Sequence, residues 1–324
     1  MKKLLAFTLA SAMAAGMAVS SATASEDWPN RPVTLIVAAG AGGGTDATAR
    51  WLAADLEQKF GQPFNVVNRA EGGGIAGITE LANAEPDGYT IGILFNYAPF
   101  RLLGMGDLTA ESYTPIAQYN FDYAAIHVKA DSPVQSLAEV IDKLKADPQS
   151  ITIGCGAVCP SSWSSALSKV LIDNGIDIKV LRWVPSAGAA AGLQELVADG
   201  VDILTASLPE AAGLIDAGEV RPLAVLAPER LSAFPDVPTA GEQVPDAAPG
   251  GVFRALVGPA GLPEEIVDKL EAATKEIYDS EAFQKNMSER GFGLRFADSE
   301  DLLEGMKTHE ADTETVLRAA GAVQ

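Results

Sequence analysis

Cysteine and histidine are scarce in this chain of 324 residues, which contains two of each. A structural metal site needs roughly four such ligands close together, so the composition predicts no metal. The two histidines, His127 and His309, belong to no H-E-x-x-H motif, and no G-x-S-x-G motif is present. We therefore expect no catalytic centre, and we interpret both histidines as structural or solvated residues.

Long apolar runs are also missing beyond the N-terminus, where a transmembrane helix would need roughly 20 consecutive residues. Lysine and arginine are outnumbered by aspartate and glutamate, and the formal net charge is −20. Such a chain repels nucleic acid and anionic membrane surfaces, so we expect neither as a partner. It also repels anionic ligands at long range, and any anion site must therefore be built locally.

The first residues have the pattern of a secretory signal peptide. Lys2 and Lys3 precede an apolar segment, residues 4–19, which is short for a bilayer span. Ala22-Thr-Ala24 then provides a small-residue cleavage pattern, and no cysteine follows that would anchor a lipoprotein. We predict a signal peptide over residues 1–24, cleaved after about Ala24, and a periplasmic mature protein. A retained membrane anchor is the alternative.

The two cysteines, Cys155 and Cys159, lie four positions apart in a glycine-containing segment. In an oxidising compartment, such a pair could close a small disulfide. Two free thiols are the alternative, since a metal site would need further ligands.

Short β-rich runs alternate with amphipathic segments along the chain, which predicts an α/β fold with largely parallel sheets. A mature length of about 300 residues suits two domains better than one core. We assign residues 25–123 with 250–324 to a first domain and 124–249 to a second, and a strand of the second domain is expected to begin at Ala124. Two domains joined by two crossings form a cleft, where a ligand is expected to bind.

Two glycine-rich loops, residues 38–46 and 68–77, each follow a predicted strand and precede a predicted helix. Thr45 or Asp46 can cap the first helix, and Gly61 can end it. Backbone N–H groups in such loops, together with the positive end of a helix dipole, bind anions without lysine or arginine. The alternative is that these glycines only make tight turns.

The second loop also has G-x-G-x-x-G spacing at Gly72, Gly74 and Gly77. A dinucleotide site would need an acidic residue about 20 positions further on, at the end of the next strand. That strand ends at Leu94 and is followed by phenylalanine and asparagine. We therefore expect no nucleotide and no other cofactor.

Polar residues stand at further predicted strand ends and helix starts. They are Asn96 and Tyr97 in the first domain, and Ser161, Ser162, Ser186 and Thr205 in the second. If the strands are parallel, all of these ends face the same cleft. Helix capping is the alternative role for Ser161 and Ser162.

A series of short motifs in this chain resembles the substrate-binding proteins of tripartite tricarboxylate transporters. The motifs are W-P-N-R-P-V from Trp28, A-G-A-G-G-G-T-D-A-T-A-R from Ala39, G-Q-P from Gly61, V-N-R from Val67, G-G-G-I-A-G from Gly72, P-D-G-Y-T from Pro86, V-D-I from Val201, S-L-P from Ser207, P-D-V-P-T from Pro235 and P-A-G-L-P from Pro259. They run in the order of the family across nearly all of the mature chain.

The resemblance implies a two-domain periplasmic-binding-protein fold of the Venus flytrap type II class, in which each domain is a mostly parallel sheet flanked by helices. It implies a small organic carboxylate as the ligand and membrane permease subunits as partners, and we expect a monomer without catalysis. The implied ligand contacts are Gly40, Ala41, Gly42, Gly43, Gly44, Thr45, Gly72, Gly73 and Gly74, with Ser161, Ser162, Ser186, Thr205 and Ala206 at the far end. A receptor that serves a membrane sensor is one alternative, and a periplasmic hydrolase is another.

Two departures from the pattern of the family bear on the ligand. Many members have an acidic residue where this chain has Ala206, so a ligand ammonium group would lose that partner. The family sequence V-P-Y-K-G-G is V-P-S-A-G-A here, from Val184, and lacks the lysine. A dicarboxylate or an aromatic carboxylate is thus favoured over an amino acid, and a second charge-paired carboxylate loses support.

Overall fold

The computed structural model describes residues 28–156, 159–160 and 162–323. The predicted signal peptide and Ser161 lie outside the described residues. None of the described helices combines the length and the apolar composition that crossing a membrane requires.

The described strands form one curled mixed sheet. They are β1 Val33–Val37, β2 Phe64–Asn68, β3 Thr90–Leu94, β4 Tyr113–Lys129, β5 Thr152–Cys155, β6 Arg182–Pro185, β7 Ile203–Ser207, β8 Val220–Val225, β9 Gly251–Pro259 and β10 Leu294–Ala297. Their order is β2-β1-β3-β9-β4-β7-β5-β6, and β8 and β10 also pair with β4. The pairs β1 with β2, β1 with β3, β5 with β6 and β5 with β7 are parallel.

The helices lie in the connections between these strands. They are α1 Gly44–Phe60, α2 Ile75–Ala82, α3 Ala98–Leu102, α4 Leu137–Ala146, α5 Trp163–Asp173, α6 Ala189–Val197, α7 Leu208–Asp216, α8 Ala240–Gln243, α9 Glu264–Asp279, α10 Glu281–Glu289 and α11 Ser299–Ala319. Where a helix links two parallel strands, as α1 links β1 and β2, the strand ends and helix starts meet at one edge of the sheet.

Strand β4 joins the two halves of the sheet. Up to Tyr123 it pairs with β9, and from Ala124 onward it pairs with β7 and β8. We call the half with β1, β2, β3, β9 and β10 the first lobe and the half with β5, β6, β7 and β8 the second lobe. The predicted start of this strand at Ala124 was wrong, because Asn120 and Asp122 continue it in a buried setting where other residues satisfy their polar groups.

Helix α1 begins at Gly44, before Thr45 and Asp46, which were expected to cap it. Gly43 is the N-cap, no side chain caps the first turn, and the predicted capping by Thr45 or Asp46 was therefore wrong. The Asp46 carboxylate instead accepts a hydrogen bond of 2.9 Å from the Gly42 N–H, which fixes the preceding loop. The predicted end at Gly61 is confirmed, since this residue adopts the left-handed conformation with φ 68°.

Each lobe has its own apolar core. In the first lobe, Leu52 and Leu56 of α1 pack with Leu270 of α9 against the sheet, and all three are fully buried. In the second lobe, Leu144 of α4 and Leu167 of α5 do the same. Burial of each such leucine contributes about 1.5–3 kcal/mol, so the cores hold the helix starts at fixed positions over the sheet edge.

Candidate functional site

A cavity of about 150 Å³ lies between the two lobes. The first lobe contributes Ala38, Ala39, Gly40, Ala41, Gly43, Gly44, Thr45, Ala70, Gly73, Phe95, Asn96, Val252 and Arg254, and the second contributes Gly156, Ser162, Trp163, Ala187, Gly188, Ala189, Ala190 and Glu210. Most of these residues are small or apolar. Among them only Arg254 and Glu210 are charged, so backbone groups dominate the polar character of the wall.

Three helices begin at the wall of this cavity without a side-chain cap. Helix α1 starts after Gly43, α5 after Ser162 and α6 after Gly188. The N–H groups of a first helical turn have no acceptor within the helix, and they carry the positive end of its dipole. The N-cap residues Gly43, Ser162 and Gly188 supply no side-chain acceptor for these groups, and at α1 the Glu210 carboxylate lies 3.4 Å from the Gly44 nitrogen. The three starts therefore favour an anionic group at the cavity.

The second glycine loop fits against the first by close backbone contact. Gly72, Gly73 and Gly74 have φ of 62°, 75° and 101°, in the left-handed region where glycine is favoured. A Cβ atom on Gly74 would lie 2.4 Å from the Ala38 carbonyl oxygen, which leaves no room for a side chain. The glycines are thus required for the turn and the packing, and Gly73 in addition lines the cavity.

Arg254 is buried in a network of hydrogen bonds within the first lobe, with 1% of its surface exposed. Its Nε donates to Thr45 Oγ1 at 2.9 Å, and its Nη1 donates to Asn120 Oδ1 at 2.5 Å and to the carboxylate of Asp122. Asp122 also accepts the Gly293 N–H at 2.7 Å. Most donors of Arg254 are therefore committed inside the protein, and its charge is matched by Asp122.

Glu210 reaches the cavity from the start of α7. Its carboxylate completes a capping box with Ser207, and its Oε1 lies 3.4 Å from the Gly44 nitrogen and 3.7 Å from Arg254 Nη2. Burial raises the pKa of the Glu210 carboxyl, while Arg254 opposes that rise and Asp122 adds to it.

Asn96 offers an unused polar atom to the cavity. Its side chain is half-buried at the wall, and within the described part of the chain its Oδ1 has no hydrogen-bond partner. A buried amide oxygen without a partner is costly, so a ligand donor is the natural group to satisfy it.

The cavity brings together about half of the residues predicted for ligand contact. Those at its wall are Gly40, Ala41, Gly43, Gly44, Thr45, Gly73, Asn96 and Ser162. Gly42 borders a smaller neighbouring cavity, Gly72 and Gly74 shape the second loop, and Ser161 lies outside the described residues.

Four predicted contacts lie away from this wall. The Tyr97 hydroxyl donates to the Met306 carbonyl at 3.0 Å, and burial raises the pKa of that hydroxyl. Ser186 Oγ donates to the Cys155 carbonyl at 2.8 Å. Thr205 and Ala206 are buried on β7, where Ala206 belongs to an apolar cluster under α6 and α7. The cavity wall does contain an acidic side chain, that of Glu210. The lack of an acid at Ala206 is therefore no structural argument against a ligand that carries an amine.

Several wall residues were not predicted from the sequence. Trp163, Phe95 and Val252 add apolar side chains to the wall, and Arg254 and Glu210 supply its charges. A capping-box spacing from Ser207 to Glu210 was a readable signal for the second of these. For Arg254 there was no local signal, because β9 was not predicted.

The cysteine pair and the histidines have structural positions. Cys155 and Cys159 are joined as a disulfide with their Cα atoms 5.8 Å apart, next to the wall residue Gly156. His127 is fully buried, and burial lowers its pKa to about 4, so it is neutral near pH 7. No group of three or more metal-ligating side chains occurs among the described residues.

Comparisons with known proteins identify the class. The model of the tripartite tricarboxylate transporter family receptor matches residues 48–321. A UPF0065 protein of Bordetella pertussis is 32% identical over 298 residues, which cover 89% of this chain and 88% of that protein.

Two solved structures are similar over nearly the whole chain. An R. palustris protein with adipate has a TM-score of 0.80 at 28% identity and covers 91% of this chain and 98% of its own. MatC of Rhodopseudomonas palustris with bound malate has a TM-score of 0.75 at 26% identity, with 90% and 100% covered.

The fold and the cleft therefore define a solute-binding receptor rather than an enzyme, and the predicted Venus flytrap fold is confirmed. The chain belongs to the tripartite tricarboxylate transporter family of receptors.

Proposed function

We propose that this receptor is exported to the periplasm, binds a small organic carboxylate in the cleft and delivers it to the membrane permease of its transporter. The observation that carries the proposal is the convergence on one cavity of three helix starts, those of α1, α5 and α6, whose N-cap residues provide no side-chain cap. Cleavage after about Ala24, a monomeric state and the division into domains at residues 123/124 and 249/250 are parts of this proposal.

A dicarboxylate is the ligand that this arrangement favours, with an aromatic carboxylate second. One carboxylate would bind at the start of α1, and the starts of α5 and α6 in the second lobe would receive another anionic group. Trp163, Phe95 and Val252 offer apolar contact to the part of the ligand in between. The adipate and malate complexes of the two similar structures support this class.

Thermal and chemical unfolding in the presence of candidate ligands test the proposal. The panel contains adipate, malate, aromatic carboxylates and amino acids, after native mass spectrometry has shown whether the purified protein already carries a ligand. A carboxylate at 100 times its Kd should raise the free energy of unfolding by about 2.7 kcal/mol. No gain with any carboxylate, together with turnover of an ester or amide, would favour a hydrolase instead.

Replacing Asn96 with alanine is expected to weaken the binding of a hydroxycarboxylate such as malate by about five- to thirtyfold, since the ligand hydroxyl can donate to the Asn96 Oδ1 a hydrogen bond worth about 1–2 kcal/mol. Ionised adipate has no donor and should bind with nearly unchanged affinity. Because the Asn96 Oδ1 has no partner in the free protein, stability should change by less than about 0.5 kcal/mol. Calorimetric titration and urea unfolding measure the two effects. The exposed Asn83, replaced by alanine, is the control that should keep full affinity; a similar loss in both variants would contradict a contact at Asn96.

A further inference from the structure

Glu210 spans the cleft from the second lobe to the first. It stands in the first turn of α7, only 10% of its side chain is exposed, and its Oε1 lies 3.4 Å from the Gly44 nitrogen and 3.7 Å from Arg254 Nη2. Both of these donors belong to the first lobe. The protein's own carboxylate thus already occupies part of the start of α1.

The proposed ligand needs the same donors. A carboxylate bound at the start of α1 would approach the Gly44 N–H, and the outer nitrogen of Arg254 is the nearest cation at the wall. Two carboxylates that share one solvent-excluded site do not both stay ionised, because their mutual repulsion raises the pKa of one of them. Entry of the ligand therefore acts directly on the Glu210 carboxyl.

Other charges around Glu210 do not compensate for an additional anion. Asp122 on β4 already matches the charge of Arg254 on β9, and each has 1% of its side chain exposed. On α1, the acidic residue of the first turn is Asp46, which is paired with Arg50. Two further charged residues lie on elements packed against α7, namely Glu195 on α6 and Arg221 on β8. The Arg221 guanidinium donates to the Ser132 and Val134 carbonyls. Burial already raises the pKa of Glu210 before any ligand arrives.

We propose that Glu210 is a specificity-determining residue that takes up one proton from solvent when a carboxylate binds, so that ligand and proton enter the cleft together. The neutral carboxyl then donates its O–H toward the ligand carboxylate instead of repelling it. This inference rests on the proposed function of the cleft. Its consequence is that affinity for a fully ionised carboxylate falls as the pH rises through the pKa of Glu210 in the free protein.

Calorimetry with adipate and with malate tests the coupling. Titrations in two buffers of different ionisation enthalpy, over a pH series that begins below the pKa of Glu210 in the free protein and ends above it, should show uptake that rises toward one proton per ligand, with Kd rising up to about tenfold per pH unit above that pKa. Glu210→Gln keeps the shape and can still serve the capping box. It should abolish proton uptake, flatten the pH dependence and bind more tightly than the wild type at about pH 8.

Glu242→Gln is the matched control. Glu242 holds the same capping-box position at the start of α8, but it is exposed and paired with Arg230. This variant should keep the proton uptake of the wild type. Binding without proton uptake by the wild type, or uptake that persists in Glu210→Gln, overturns the inference and leaves the proposed function intact. Failure of every carboxylate to bind overturns both.

A measurement without ligand adds an independent result. A carboxyl whose pKa is raised in the folded state makes the protein less stable as the pH rises through that pKa. The stability of Glu210→Gln relative to the wild type should therefore increase from about pH 5 to pH 8 in urea unfolding. An equal loss of stability at every pH would show that Glu210 carries no unfavourable charge and would contradict the inference.

Discussion

Replacing Arg254 with methionine is expected to destabilise the protein by about 3–5 kcal/mol, the cost of removing one partner from a buried ion pair. The substitution would leave the carboxylate of Asp122, with 1% of its side chain exposed, without its cation. It would also remove the donors to Thr45 Oγ1 and Asn120 Oδ1, which hold α1 and β4 to β9. Methionine has a similar length, so a large cavity does not account for the loss.

Urea unfolding at about pH 7 measures this effect. Arg295→Met is the control, because Arg295 is exposed and its guanidinium carbon lies 5.2 Å from the centre of the Phe121 ring, and its loss should cost less than about 1 kcal/mol. The double variant Arg254→Met with Asp122→Asn should recover part of the loss, since the fully buried carboxylate of Asp122 is then removed together with its cation. Equal, small losses for both arginines would show that the Arg254 network is solvated.

Replacing Gly74 with alanine should cost about 2–4 kcal/mol and abolish ligand binding. The backbone of Gly74 has φ 101°, and the new Cβ atom would lie 2.4 Å from the Ala38 carbonyl oxygen, so the second loop must move away from β1. That movement would displace the neighbouring Gly73 from the cavity wall. Unfolding and calorimetric titration with adipate or malate report the two losses.

Gly42→Ala measures the cost of a positive φ in the absence of a steric clash. Gly42 also has a positive φ, 81°, but nothing lies within 4 Å of the Cβ position. We expect a cost of about 1–2 kcal/mol, the ordinary penalty for a side chain in this conformation. If Gly74→Ala cost no more than Gly42→Ala, the close contact with Ala38 would not be what fixes the second loop.

The glycine loops could be predicted from the sequence because their signals are local. A run of glycines between an apolar strand and an amphipathic helix indicates a tight turn with exposed N–H groups, whatever the rest of the chain does. Gly40, Gly43, Gly44 and Gly73 accordingly lie at the cavity wall. The end of α1 at Gly61 follows from the same kind of local rule.

The charged part of the site depends on distant pairing and could not be predicted. Asn120 and Asp122 look like loop residues, because the arginine that satisfies them is 134 and 132 positions further along the chain. Because β9 was not predicted, neither the full length of β4 nor the position of Arg254 could be inferred from the sequence. Ala206 shows the same limit, since the pleat of β7 decides which face a side chain joins, and here it joins the core.

The course of β4 has a consequence for how the cleft opens. One strand crosses between the lobes without a break, changing partners at Tyr123 and Ala124, and Gly251 crosses directly beside it. A Cβ atom on Gly251 would lie 1.9 Å from the Asp122 carbonyl oxygen, so the two crossing segments touch backbone to backbone. Helix α11 is a further connection, since its Leu302 packs in the first lobe and its Val316 packs in the core of the second. We therefore expect the cleft to open by rotation of one lobe relative to the other about the place where β4 and β9 cross.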